Sequence, residues 1–83
     1  MITVLYFARL RENLGKMSES LTLPPDVQDI AQLCLWLQKR GNTWQQEFSK
    51  NDIRVAVNQE MVSFGTVIKD GDEIAFFPPI TGG

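Results

Sequence analysis

The last two residues of the chain, Gly82 and Gly83, carry no side chains, so what they offer to chemistry is the backbone carboxylate of Gly83. A carboxylate is inert to acyl transfer, because hydroxide or oxide leaves badly, and it reacts only once activated. Glycine in both positions suits a channel too narrow for any other residue type, since nothing projects from the backbone. No other group in the sequence rivals this one. Glu19, Asp26, Asp29, Glu47, Asp52, Glu60, Asp70, Asp72 and Glu73 are spread over expected loops and exposed strand positions. Only Asp70, Asp72 and Glu73 form a dense group, and a metal loop needs more oxygen ligands than they supply. They read as a solvated turn. Cys34 is the single cysteine, which excludes an internal disulfide and a thiolate metal cluster. It falls on an apolar helical stripe, where a thiol behaves as a small hydrophobe. With no histidine, the chain also lacks the commonest general base, the commonest metal ligand and any Ser-His or Cys-His pair. Neither an internal active site nor a bound metal is expected.

The element that aims the terminal residues is the strand before them. "EIAFF" (73–77) follows the turn Asp70-Gly71-Asp72 and runs into Pro78-Pro79. Proline cannot donate a ladder hydrogen bond and fixes an extended backbone, so the sheet is expected to end there. Residues 78–83 then make a projecting tail of up to roughly 20 Å, at about 3.3 Å per residue. At the other end of the chain, "ITVLYFAR" (2–9) is β-branched and aromatic and predicts a strand. Period two puts Ile2, Val4, Tyr6 and Ala8 on one face and Thr3, Leu5, Phe7 and Arg9 on the other. "LRENLGK" predicts a short helix closed by Gly15, and "MSESLTL" (17–23) a second strand in a hairpin with the first. Asp26 is expected to cap a long helix with Asp29 in its first turn. That helix carries the apolar stripe Val27, Ile30, Ala31, Leu33, Cys34 and Leu37 and is ended by Gly41. A short helix capped by Thr43 and anchored by Trp44 and Phe48 follows. Strands at 53–57 and 61–63, joined by a turn at Asn58-Gln59, complete the order.

The series β, β, long helix, β, β, β predicts an α+β protein over residues 1–83 as one domain, with a mixed sheet covered on one face by the long helix. With the first and last strands as central neighbours this is a β-grasp, or ubiquitin-like, arrangement. Ile74 and Phe76 then face the helix, while Phe77 faces away beside Leu5 and Phe7, with Met61 nearby. Isolated exposed apolar residues are ordinary, but several large ones on a face with no second layer form a patch of the kind that marks an interface.

Three stretches, "VLYFARLRE" (4–12), "VAVNQEMVS" (55–63) and "DGDEIAFFPPITGG" (70–83), resemble the small-subunit family of molybdopterin synthases, ubiquitin-like sulfur carriers. The resemblance covers essentially the whole chain. A terminal Gly-Gly is shared by β-grasp modifiers and sulfur carriers alike. The Phe-Phe-Pro-Pro-Ile-Thr-Gly-Gly ending is more specific, because the thiamine-pathway carrier lacks the double proline. The resemblance implies that Gly83 is adenylated by a ubiquitin-activating-like adenylyltransferase that consumes ATP. A sulfur donor enzyme then converts the glycyl adenylate to a thiocarboxylate. The tail enters the large subunit and gives its sulfur to cyclic pyranopterin monophosphate, and two transfers build the dithiolene that later binds molybdenum. Gly82 accompanies Gly83 as the reactive end. Partner contact maps to Phe7, Met61 and Phe77, with Arg11 at the rim and Pro78, Pro79, Ile80 and Thr81 along the tail. The implied assembly contains two small and two large subunits, and this chain binds no cofactor itself.

Other readings keep the fold and change the recipient: sulfur delivery to thiazole or tRNA, a protein modifier joined through Gly83 to lysines, or an interaction module with a passive tail. Nucleic acid is disfavoured as a partner, since a net charge of −2 offers no basic excess to displace counterions. The apolar runs are too short to span a bilayer. The opening "MITVLYFARL" has no basic n-region or small-residue cleavage site, so a cytoplasmic location is expected.

Overall fold

The computed structural model describes residues 1–79. Strand β1 (Ile2–Tyr6) alternates buried and half-buried positions, with Ile2, Val4 and Tyr6 turned into the core. It stops sooner than the expected 2–9, because Ala8 adopts φ 55° and ψ −129° rather than an extended conformation. The Leu10 N–H donates to the Phe7 carbonyl at 3.1 Å, closing a tight turn that drives Leu10 into the core. Helix α1 (Arg9–Leu14) follows and ends at Gly15, whose φ of 72° lets its N–H reach the Arg11 carbonyl at 3.0 Å. Strand β2 (Ser18–Leu21) returns antiparallel to β1, with Leu21 opposite Ile2 and Ser18 opposite Leu5.

Helix α2 (Ile30–Gln38) begins later than its expected cap. Asp29, not Asp26, is the N-cap: its Oδ1 accepts the Gln32 N–H at 2.8 Å, while Asp26 sits in the preceding turn. The reason is tertiary. Asp29 bridges to Val67, and the N–H groups of Ile30 and Ala31 donate to the carbonyls of Thr66 and Phe64. Those partners fix the helix start and turn Ala31 outward, so the buried stripe is Ile30, Leu33, Cys34 and Leu37. Helix α3 (Asn42–Ser49) starts from Gly41, whose φ of 148° turns the chain; neither Thr43 nor another side chain caps it. Gly41 therefore opens α3, and α2 has already ended at Gln38. The expected long helix is thus only nine residues, and the expected short helix after it is nearly as long, at eight.

Strand β3 (Arg54–Val57) turns through Asn58 and Gln59, both at positive φ, into the short strand β4 (Glu60–Met61). Two such residues in a two-residue loop match the twist of an antiparallel pair. Strand β5 (Glu73–Phe77) lies between β1, to which it is parallel, and β3, to which it is antiparallel. The sheet order β2-β1-β5-β3-β4, with the helices over one face, is the β-grasp arrangement. Val4 faces Ile74 and Tyr6 faces Phe76 across the central parallel pair. Phe76 meets Phe48 of α3 edge to face at 5.0 Å, and Tyr6 meets Trp44 at 5.6 Å, so sheet and helix lock through aromatic rings.

Candidate functional site

Strand β5 determines what stands where the tail begins. Alternation buries Ile74 and Phe76 under the helices and leaves Glu73, Ala75 and Phe77 on the opposite face. Register then assembles that face. Leu5 of β1, Ala75 of β5, Ala56 of β3 and Met61 of β4 form one cross-strand row. Phe77 stands one row further along, opposite Arg54. The Phe7 N–H donates to the Phe76 carbonyl at 3.1 Å, which carries the ladder one residue past β1 and sets Phe7 beside the end of β5. Small residues occupy the middle of the row and larger ones its ends. Ala56, on the face without helices, is only 8% exposed, whereas Phe7 is 44% and Met61 62% exposed. Leu5, Phe77, Pro78 and Pro79 are half-buried. The structure therefore brings Phe7, Met61 and Phe77 onto one side, where Pro78 and Pro79 continue the chain. Arg11 is exposed on α1, four residues beyond Phe7. Ile80, Thr81, Gly82 and Gly83 lie outside the described residues.

Two carboxylates expected in solvent are not there. Glu47 is 3% exposed. Its carboxylate accepts from Arg9 Nε at 3.2 Å, Asn13 Nδ2 at 3.0 Å and Lys50 Nζ at 3.1 Å. Arg9 also grips Asp52 with Nη1 and Nη2 at 3.0 and 2.7 Å. Arg9 thus belongs to a clamp between α1 and the end of α3, not to the outer face beside Leu5 and Phe7. Burial pushes the Glu47 pKa upward, but the Lys50, Asn13 and Arg9 contacts outweigh it and hold the carboxyl below its ordinary range. The signal for Glu47 was its place three residues after Trp44, on the buried side of a helix. Asp72 is the other: its Oδ2 accepts the Lys69 N–H at 2.8 Å and its Oδ1 accepts from Asn58 Nδ2 at 3.0 Å, tying two turns together. It is a turn organiser, not a solvated residue.

A second polar network lies on the helix side of the β2 edge. The Tyr6 hydroxyl donates to Glu19 Oε2 at 2.8 Å, and Arg40 holds the same carboxylate with Nη1 and Nη2 at 2.7 and 3.1 Å. Arg40 lies over the Trp44 ring at 4.6 Å. Burial acts to raise the Glu19 pKa, and the bonds from Arg40 and Tyr6 bring it below the usual value. Both networks hold elements together. Burial pushes the Cys34 thiol up to about 12, so it is a core residue. Among the described residues no group of histidine, cysteine or acidic side chains is placed to hold a metal ion. Among the described residues, this end of the molecule presents an apolar face where Pro78 and Pro79 continue the chain.

The model of the ThiS family matches residues 4–83. The chain belongs to the ThiS family. Among its relatives is the molybdopterin synthase sulfur carrier subunit of Haemophilus influenzae, 37% identical over 83 residues, with both chains covered completely. The Homo sapiens protein of the same name is 40% identical over 85 residues, covering 99% of this chain and 93% of that one. A solved structure, the putative molybdopterin converting factor subunit 1 of Pyrococcus furiosus, is 30% identical, with a TM-score of 0.76 and coverage of 95% and 97%. The same fold recurs at 22% identity and a TM-score of 0.68 in a complex of subunits 1 and 2 of molybdopterin-converting factor from Helicobacter pylori, covering 99% of this chain and 97% of that chain. The fold of this member of the ThiS family is thus shared by these solved structures. Among the described residues of this member no helix is long and apolar enough to cross a membrane.

Proposed function

We propose that this chain is the sulfur carrier subunit of a molybdopterin synthase, acting in the cytoplasm in an assembly of two small and two large subunits. The observation that supports this reading is the family match over residues 4–83, which runs through Phe77, the double proline and Gly82-Gly83 to the final residue. In the first step the Gly83 carboxylate attacks the α-phosphorus of ATP on an adenylyltransferase and pyrophosphate leaves. The glycyl adenylate has a good leaving group where the carboxylate had none. Sulfide-level sulfur from a donor enzyme attacks the acyl carbon as the nucleophile, AMP departs, and a thiocarboxylate remains on Gly83. That group is a soft nucleophile suited to attack on cyclic pyranopterin monophosphate in the large subunit. The chain itself supplies docking through Phe7, Met61 and Phe77, aim through Pro78 and Pro79, and reach through Ile80, Thr81 and Gly82. Arg11 stands at the rim. Acid–base groups belong to its partners, in keeping with a chain that has no histidine, and no metal or cofactor is held by this subunit.

Intact-mass measurement tests the first half. Incubation with the adenylyltransferase, ATP and a sulfur source should raise the mass by the difference between sulfur and oxygen. An unchanged mass rejects the carrier reading. Reconstitution of the loaded chain with the large subunit and the pyranopterin precursor tests the second half, because only a dithiolene product identifies this recipient over thiazole or tRNA.

A further inference from the structure

The arginines of this chain are Arg9, Arg11, Arg40 and Arg54, and they divide into two kinds. Arg9 is committed to Asp52 and Glu47, and Arg40 to Glu19, each through two or more short hydrogen bonds. Arg54 and Arg11 are both exposed, and neither has an ion pair or a side-chain hydrogen bond to another described residue. Their positions are not arbitrary. Arg54 stands directly opposite Phe77 in the β3–β5 register, at the end of the sheet from which the tail leaves. Arg11 lies on α1, which begins two residues after Phe7.

The carboxylates divide the other way. At this end Glu47 and Asp52 are already engaged by Arg9 and Lys50, leaving Glu12 on α1 as the unengaged acid. At the far end of the same strands are Asp70 and Asp72 before β5, Glu73 at its first position and Glu60 at the first position of β4, with Asp70 paired to the amino group of Met1. A chain of net charge −2 thus places much of its negative charge away from Phe77 and keeps the Arg54 guanidinium opposite that residue, with Arg11 on the helix that follows β1. Guanidinium is weakly hydrated, keeps its charge at every physiological pH, and presents a planar fork that fits a carboxylate.

We infer that the partner surface which receives this face carries carboxylates opposite Arg54, with a second acidic contact at Arg11, around a central apolar socket for Phe77. This inference rests on the sulfur-carrier reading and specifies the partner's chemistry at the docking face. The phosphates of the reaction are not what Arg54 meets. Gly83 is six residues beyond Phe77, a span of up to about 20 Å when extended into a partner, which an arginine side chain does not bridge. At physiological salt, charges more than about 8 Å apart are largely screened. The local arginines therefore govern the final approach to an acidic rim.

Association kinetics with the purified large subunit test the inference. Arg54→Glu should slow association about tenfold at low ionic strength, with the difference shrinking at high ionic strength. Arg54→Lys should keep most of the rate, and reversing a carboxylate on the partner should restore binding of Arg54→Glu. Phe77→Ala should instead speed dissociation and leave the salt dependence of association intact. Arg54 is exposed and has no ion pair with another described residue, so its variants should fold normally, which thermal melts would check. If Arg54→Glu associates at the wild-type rate with the wild-type salt dependence, the inference is overturned while the sulfur-carrier reading stands. If the wild-type chain does not bind the large subunit at all, both fall together.

Discussion

Ala8 shows how much one residue can be made to bear. Its φ of 55° and ψ of −129° match the first central position of a type II′ turn, a place that glycine occupies freely and alanine does not. Strain of this kind amounts to about 1–3 kcal/mol and persists only where the surroundings impose it. Here they do: Leu10 is fully buried two residues later, and Arg9 is held by Glu47 and Asp52. Ala8→Gly should therefore raise stability by about 1 kcal/mol, the relieved strain exceeding the added freedom of the unfolded chain. A denaturant midpoint that falls instead would show that the turn is unstrained. Nothing in the run "ITVLYFAR" signals this turn, because alanine has no turn chemistry and the alternation through Phe7 is unbroken. Cys34 was legible by contrast, since its place on the helical stripe already implied burial. With its thiol pushed up to about 12, alkylation at neutral pH should be slow in the native protein and fast in denaturant. Equal rates would place the thiol at the surface.

At the scale of elements, the clamp around Glu47 joins three pieces that the backbone leaves separate: α1 through Arg9 and Asn13, α3 through Glu47 itself, and the segment after α3 through Lys50 and Asp52. Glu47 and Glu19 both have folded-state pKa values below the ordinary carboxylate. A lowered folded value means that their contribution to stability is present above the unfolded pKa of about 4.3. It is lost as pH falls through the folded values. Melting temperature should accordingly hold near neutrality and drop below about pH 4. Glu47→Gln should destabilise by roughly 3 kcal/mol at neutral pH, because a buried pair is broken on one side, and should make the acid limb shallower. An acid limb of unchanged slope would assign the pH dependence elsewhere. The strands were readable from period two and the turn pairs Asn58-Gln59 and Asp70-Gly71-Asp72. The helix boundaries were not, since Asp26 and Asp29 are equally good caps in sequence. The bridge from Asp29 to Val67, a contact between distant segments, decides between them.

For the whole molecule, the fold makes docking and transfer separable. The core is closed by Phe76, and Phe77 completes β5 on the opposite face. Among the described residues beyond Phe77, Pro78 and Pro79 belong to neither a strand nor the buried core. Deletion of Gly83 should leave the melting temperature and large-subunit affinity close to wild type while abolishing sulfur loading and molybdopterin formation. Phe77→Ala should do the reverse, weakening the complex by about 2 kcal/mol or more if its ring is an anchor of the interface. At saturating large subunit it should still transfer sulfur. The two variants distinguish a carrier from a passive binding module, in which Phe77 would matter and Gly83 would not. Molybdopterin formation by the Gly83-deleted chain would show that the tail is not the donor, whatever the face around Phe77 binds. The division also accounts for a composition without histidine. On the sulfur-carrier reading proposed above, the one reactive group is the chain's own terminus, which needs a rigid sheet before it and a face to seat it, and the proton-transferring groups can all reside on the proteins it visits.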